Sequence, residues 1–112
     1  MNTPFVEIDS IAALEKFLAN ANGSPTVLFK HSNTCGVSKR AFAEMSKLPA
    51  PVGLITVQWA RPVSDEIEKR WRVDHETPQV LIVCDGKVLW DASHFGVKAG
   101  DVEKALVSEV RS

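Results

Sequence analysis

The chain has 112 residues, 45% of them hydrophobic, enough for one domain over residues 1–112 with a substantial buried core. Thirteen basic against fourteen acidic residues leave a net charge of −1, which gives no electrostatic case for nucleic acid or an anionic membrane as partner. No run approaches the ~18 apolar residues of a membrane span. Met1-Asn2-Thr3-Pro4-Phe5 also lacks the basic start and apolar centre of a secretion signal, so a cytoplasmic location is expected. Two cysteines, Cys35 and Cys84, are too few for a secreted disulfide framework, and together with the scattered His31, His75 and His94 they lack metal-ligand spacing, so no metal is expected.

Taken in order, Phe5-Val6-Glu7-Ile8 reads as a short strand. Asp9 or Ser10 caps a helix with Ile11, Leu14, Phe17, Leu18 and Ala21 on one face, stopped by Asn22-Gly23-Ser24-Pro25. A second strand covers Thr26 to His31. After it the apolar spacing changes to Val37, Ala41, Met45 and Leu48, which predicts a helix from Cys35 to Leu48, ended by Pro49-Ala50-Pro51. Gly53 leads into a third strand from Leu54 to Trp59, and Arg61-Pro62 opens a helix with Val63, Ile67 and Trp71 at four-residue intervals. Val80–Cys84 and Lys87–Trp90 flank Asp85-Gly86, a strong hairpin signal, so the last two strands run antiparallel. Asp101 then caps a final helix with Val102, Ala105, Leu106 and Val110 turned inward. Trp59, Trp71 and Trp90 are expected to pack in the core or at its rim.

Cys35 falls at the strand-to-helix junction. A thiol there meets the unpaired N–H groups of a helix N-terminus, and Lys39 and Arg40 add positive charge in the next turn. Both effects favour the thiolate, the form that attacks disulfides, so a reactive cysteine is expected.

The order β-α-β-α-β-α-β-β-α requires a mixed sheet with helices on both faces. It resembles the thioredoxin-like α/β fold, in which a cis-proline faces the active thiol; Thr77-Pro78, just before the fourth strand, stands at that place. Proline accepts the cis form at only ~0.5–1 kcal/mol, and a turn there leaves the backbone of Thr77 free to pair with a substrate. In this topology strands two and three end at the thiol, bringing His31, Trp59, Ala60 and Arg61 near. The fifth strand returns there and delivers Ser93 and His94 beside Cys35. Cys84, six residues beyond Pro78 on the fourth strand, lies ~20 Å away. A disulfide needs Cα atoms within ~7 Å, so Cys84 cannot resolve Cys35.

The motif Cys35-Gly36-Val37-Ser38 carries serine where a dithiol oxidoreductase keeps its second cysteine. Such a thiol can take a small thiol from a mixed disulfide, and an outside thiol must then regenerate it. Three segments sharpen this reading: His31-Ser32-x-x-Cys35-x-x-Ser38, His75-Glu76-Thr77-Pro78-Gln79 and Trp90-x-Ala92-Ser93-His94. In order and content they resemble the YtxJ-type monothiol bacilliredoxins over most of the chain. Departures are Gly36, where that family usually has proline after the thiol, and Thr77, where it usually has serine.

The resemblance implies a monothiol oxidoreductase that removes bacillithiol from S-thiolated client proteins, with bacillithiol as cosubstrate and no bound cofactor. Cys35 would be the nucleophile, with Thr77, Pro78, Ser93 and His94 around the substrate thiol. His94 would meet a carboxylate of bacillithiol or assist proton transfer. His31, Thr34 and Ser38 would support the site, with Ser32 or Thr34 orienting the helix start. His31 and His75 carry the resemblance without an assigned chemistry. Cys-Gly-x-Ser and Pro78-Gln79-Val80 also fit a glutathione-dependent monothiol glutaredoxin, although Ser93-His94-Phe95-Gly96 lacks the Gly-Gly pair usual there. A third alternative is a non-catalytic adaptor with an inert Cys35.

Overall fold

A computed structural model describes the backbone of residues 4–111 and the side chains through Ser108. The elements are β1 (Phe5–Glu7), α1 (Ile11–Ala19), β2 (Thr26–His31), α2 (Gly36–Met45), β3 (Val52–Thr56), α3 (Arg61–Trp71), β4 (Gln79–Cys84), β5 (Lys87–Ser93) and α4 (Ala99–Arg111). A 3-10 turn at His94–Gly96 joins β5 to α4. The sheet order is β1-β3-β2-β4-β5, with β1 and β2 parallel to β3, and β4 antiparallel to both β2 and β5. This is the thioredoxin-like arrangement expected from the element order.

Alternation along the central strands divides the core in two. Val27 and Phe29 of β2, with Val80 and Ile82 of β4, pack on Ala41 and Met45 of α2 and Val102 of α4. Leu28 and Leu81, pointing the other way, pack with Ile55 on Leu14 and Phe17 of α1 and Val63 and Ile67 of α3. Buried on both faces, β2 reads as a continuous apolar run, and its end carries the loop to Cys35.

Several boundaries differ from those expected. Ser10 caps α1, its side chain accepting the Ala13 N–H at 3.1 Å, while Ile11 is exposed. β3 begins at Val52 and ends at Thr56, because Trp59 and Ala60 turn back to donate to the Thr56 carbonyl. Gly53 is thus a strand residue rather than a lead-in. A Cβ there would lie 2.6 Å from Ile8 Cδ1, so the close approach of the Ile8, Phe17 and Leu28 side chains needs glycine. α2 stops at Met45, and Leu48 reaches the core from the turns that follow.

β5 runs to Ser93, with Leu89 as the extra residue of a bulge opposite Ile82 and Val83. Its hairpin turn has both Asp85 and Gly86 at positive φ, 50° and 77°, as an Asp-Gly type I′ turn requires. α4 starts at Ala99, so Asp101 sits in its first turn rather than at the cap. The Glu44 carboxylate instead accepts the Ala99 N–H at 2.9 Å, tying α2 to the start of α4. The side chain of Val110 lies outside the described residues.

Candidate functional site

The site begins where β2 runs out. After His31 the chain turns through Ser32, Asn33 and Thr34, and Cys35 takes extended geometry (φ −104°, ψ 126°) as the cap of α2. Its carbonyl accepts the first intrahelical bond, from Lys39 N–H at 3.0 Å. Cys35 is half-buried and shares a groove of ≈ 370 Å³ with His31, Ser32, Thr34, Lys39 and Phe42. The helix N-terminus and the Lys39 ammonium both favour negative charge in this groove. Arg40 instead borders a separate groove, with Val37 and His94.

Ser38, one turn after Cys35, is fully buried. Its hydroxyl oxygen accepts the Ser32 N–H at 2.8 Å and lies 2.8 Å from His31 Nδ1. The serine in the place of a second thiol therefore fixes the loop that presents the first. His31 packs between Phe29 and Phe42, with ring centroids 5.7 and 4.9 Å away. Burial pulls its pKa down, a hydrogen bond at Ser38 opposing. The Ser38 hydroxyl needs an acceptor for its own hydrogen, and His31 Nδ1 is the partner the structure offers.

A residue outside the sequence expectation completes the loop. Gln58, in the turn after β3, accepts the Asn33 N–H at 3.2 Å and donates to Ser32 Oγ at 2.8 Å and Thr34 Oγ1 at 3.3 Å. It spans the whole segment between β2 and Cys35. Alternation marks Gln58 as a strand residue, and the only available hint is that parallel β2 and β3 end side by side. Trp59, next to it, is 68% exposed and so departs from the packed role expected, whereas Trp71 and Trp90 pack against the two cores.

The Thr77–Pro78 bond is cis. Lys30 pairs with Gln79 across β2 and β4, which sets Pro78 level with His31 at the Cys35 end of the sheet. Gln79 in turn pairs with Ser93, and the Pro78 carbonyl accepts the His94 N–H at 2.8 Å. Thr77, Pro78, Ser93 and His94 thus form one corner. The His94 ring turns to Glu76, Nε2 to Oε1 at 2.6 Å, and borders the groove with Val37 and Arg40 rather than the one that Cys35 lines. Cys84 stands at the other end of β4, where Val83 pairs with the first residue of β2, and its sulfur lies 3.2 Å from the Gly23 carbonyl. Neither cysteine is in a disulfide.

The family model for the monothiol bacilliredoxin BrxC matches residues 6–102. The chain belongs to this family. Among solved structures, a proposed oxidoreductase with a thioredoxin fold superposes with a TM-score of 0.81 at 26% identity, covering 90% of this chain and 92% of that one. Thioredoxin from Trypanosoma brucei brucei gives 0.76 at 17% identity, covering 99% and 96%. Thioredoxin from Fasciola hepatica gives 0.68 at 16%, covering 91% and 96%. The two thioredoxins show the shared fold, and bacilliredoxin membership adds a thiol redox role. In this bacilliredoxin the groove beside Cys35 holds one thiol, and Ser38 serves as a buried hydrogen-bond post.

Proposed function

We propose that this chain is a monothiol thiol–disulfide oxidoreductase that removes bacillithiol from mixed disulfides on client proteins. The observation that carries the reading is the pairing of Cys35 with a buried, fully engaged Ser38, while Cys84 stands at the opposite end of the sheet. Cys35 thiolate attacks the bacillithiol sulfur, a new S–S bond forms to Cys35, and the client sulfur leaves as a thiolate that takes a proton from water. A second bacillithiol thiolate then attacks the bacillithiol sulfur on Cys35. This frees Cys35 thiolate and yields the small-molecule disulfide, so both electrons come from outside the chain.

In this reading Lys39, in the groove that Cys35 lines, meets a carboxylate of the small thiol, with the His94 ring held by Glu76. Thr77 and Pro78 align the incoming disulfide, with Ser93 and His94 on the client side. His31, Ser32, Thr34 and Gln58 hold the thiol loop. The reaction needs the reducing cytoplasm, where low-molecular-weight thiols are abundant.

The test is intact-mass analysis after mixing the reduced protein with a bacillithiolated client peptide. One bacillithiol adduct should appear on Cys35, vanish in Cys35→Ser and persist in Cys84→Ser. Equal losses in both variants would overturn the monothiol scheme, and transfer from a glutathionylated peptide alone would move the assignment to a glutathione-dependent protein.

A further inference from the structure

Lys30 has no part in the exchange described above, yet it is a fully buried cation one residue before the His31 that lines the thiol groove. It lies on the α3 side of β2, and its ammonium donates to His75 Nδ1 at 2.7 Å. An ammonium has only donors, so His75 must accept at Nδ1 and is neutral, with its proton on Nε2. Ser64 of α3 reaches the same nitrogen at 3.3 Å, and the His75 N–H donates to Glu68 at 3.1 Å. Gln79, directly across from Lys30 in the β2–β4 register and equally buried, donates to the Asp74 carbonyl at 3.0 Å.

These bonds converge on residues 72–78, which have no helix or strand of their own and end in Thr77-Pro78. With nothing regular to fix its height, this segment depends on side chains reaching up from β2, β4 and α3. The shortest of the ties, and one of two that carry a charge, is the one from Lys30. We propose that the buried Lys30–His75 hydrogen bond is the positioning device that holds the Asp74–Pro78 segment where Thr77 meets the disulfide. Thiol exchange as the reaction rests on the function proposed above, but the hold on the segment does not.

The charged surroundings say when the hold is released. Burial lowers the Lys30 pKa to about 8, against Glu68, Asp65 and Glu76, which favour the ammonium. His75 is pulled down by burial, then by Lys30 and Arg61, with Glu68 and Asp65 opposing. Near neutrality the matched form is ammonium to neutral imidazole. As pH rises through about 8 the charge is lost and the tie weakens.

The experiment follows amide resonances of Glu76 and Thr77 from pH 6 to 10 and, in parallel, exchange with a thiolated peptide and alkylation of Cys35 by iodoacetamide. The wild-type amides should titrate with a midpoint near 8, and that titration should be absent in Lys30→Met. Lys30→Met and His75→Leu should slow peptide exchange on the order of tenfold to a hundredfold, as an ångström-scale displacement does. Cys35 alkylation should stay within about twofold, since iodoacetamide needs no alignment by Thr77. His75→Asn, which keeps an acceptor near Nδ1, should retain most of the rate. Wild-type amides indifferent to pH near 8, or wild-type exchange in both variants, would overturn the proposal. Should the wild type exchange with no thiolated peptide, the proposed function falls, and the Thr77 titration alone still decides the positioning role. That titration also decides it if Lys30→Met fails to fold.

Discussion

Ser38→Ala is the sharpest test of how the thiol loop is held. Removing the hydroxyl leaves two groups around a fully buried position without their partner: the Ser32 N–H and His31 Nδ1, each 2.8 Å from the lost oxygen. An abandoned buried polar group costs about 1–3 kcal/mol, and because both groups met one oxygen the expected loss is about 2–4 kcal/mol. With a urea slope of roughly 1–2 kcal/mol/M, the unfolding midpoint should fall by about 2 M. Ser46→Ala is the matched control. Its hydroxyl donates to the Ala43 carbonyl at 2.7 Å on an exposed turn where water can substitute, so the loss should stay below about 0.5 kcal/mol. Equal, small losses in the two variants would refute the reading of Ser38 as a structural post. Ser38→Cys extends the test. Residues i and i+3 hold their Cβ atoms ~5–6 Å apart, within a modest adjustment of disulfide geometry, so mild oxidation should form an internal bond to Cys35 and reduce the small-thiol adduct. Crosslinks only between molecules would contradict the shared helix turn.

Gly53→Ala should destabilise by about 1–3 kcal/mol through overpacking, because the new methyl meets Ile8, Leu28 and Phe17 at 2.6 to 2.9 Å. Thermal unfolding checks this, and an unchanged midpoint would show that these side chains yield freely. Gln58→Leu should change stability by only about 1 kcal/mol, since of its partners Asn33 and Thr34 are exposed and Ser32 alone is buried, yet slow exchange by about tenfold through a looser Ser32–Thr34 loop. An unaltered exchange rate would remove Gln58 from the site. Lys30→Met should abolish the part of the stability that varies with pH above neutrality. At about 1.4 kcal/mol per pH unit, the fall of the Lys30 pKa from 10.5 to about 8 amounts to roughly 3 kcal/mol. Between these two pH values the folded chain holds fewer protons than the unfolded one, so wild type gains stability as pH rises and the difference from Lys30→Met should shift in its favour. Urea unfolding at pH 7 and pH 10 measures it, and a gap independent of pH would contradict the buried-ammonium assignment.

The elements that position the thiol were legible because they depend on local rules. The Val27-Leu28-Phe29 run, the change of period after Cys35 and the Asp85-Gly86 turn each specify their own backbone, and together they order the sheet and place Cys35 and Thr77-Pro78 at one end. Of two misplaced ends, one is set by a local turn and the other by a nonlocal bond. β3 stops early because the Thr56 carbonyl recruits the next turn, and α4 starts early because Glu44, 55 residues before Ala99, caps it. The same division separates the parts of the site. Cys35 and Ser38 could be read one turn apart from spacing alone, whereas the partners of Ser38 could not. The clasp of Gln58 on the thiol loop and the bond between Lys30 and His75 join residues 24 to 45 positions apart, and only the packing of parallel strands and of α3 on the sheet brings them together. Sequence pattern by itself determined which thiol is presented and on what scaffold. Tertiary structure decided what holds it, because a buried polar group takes its partner from whichever element folding places beside it.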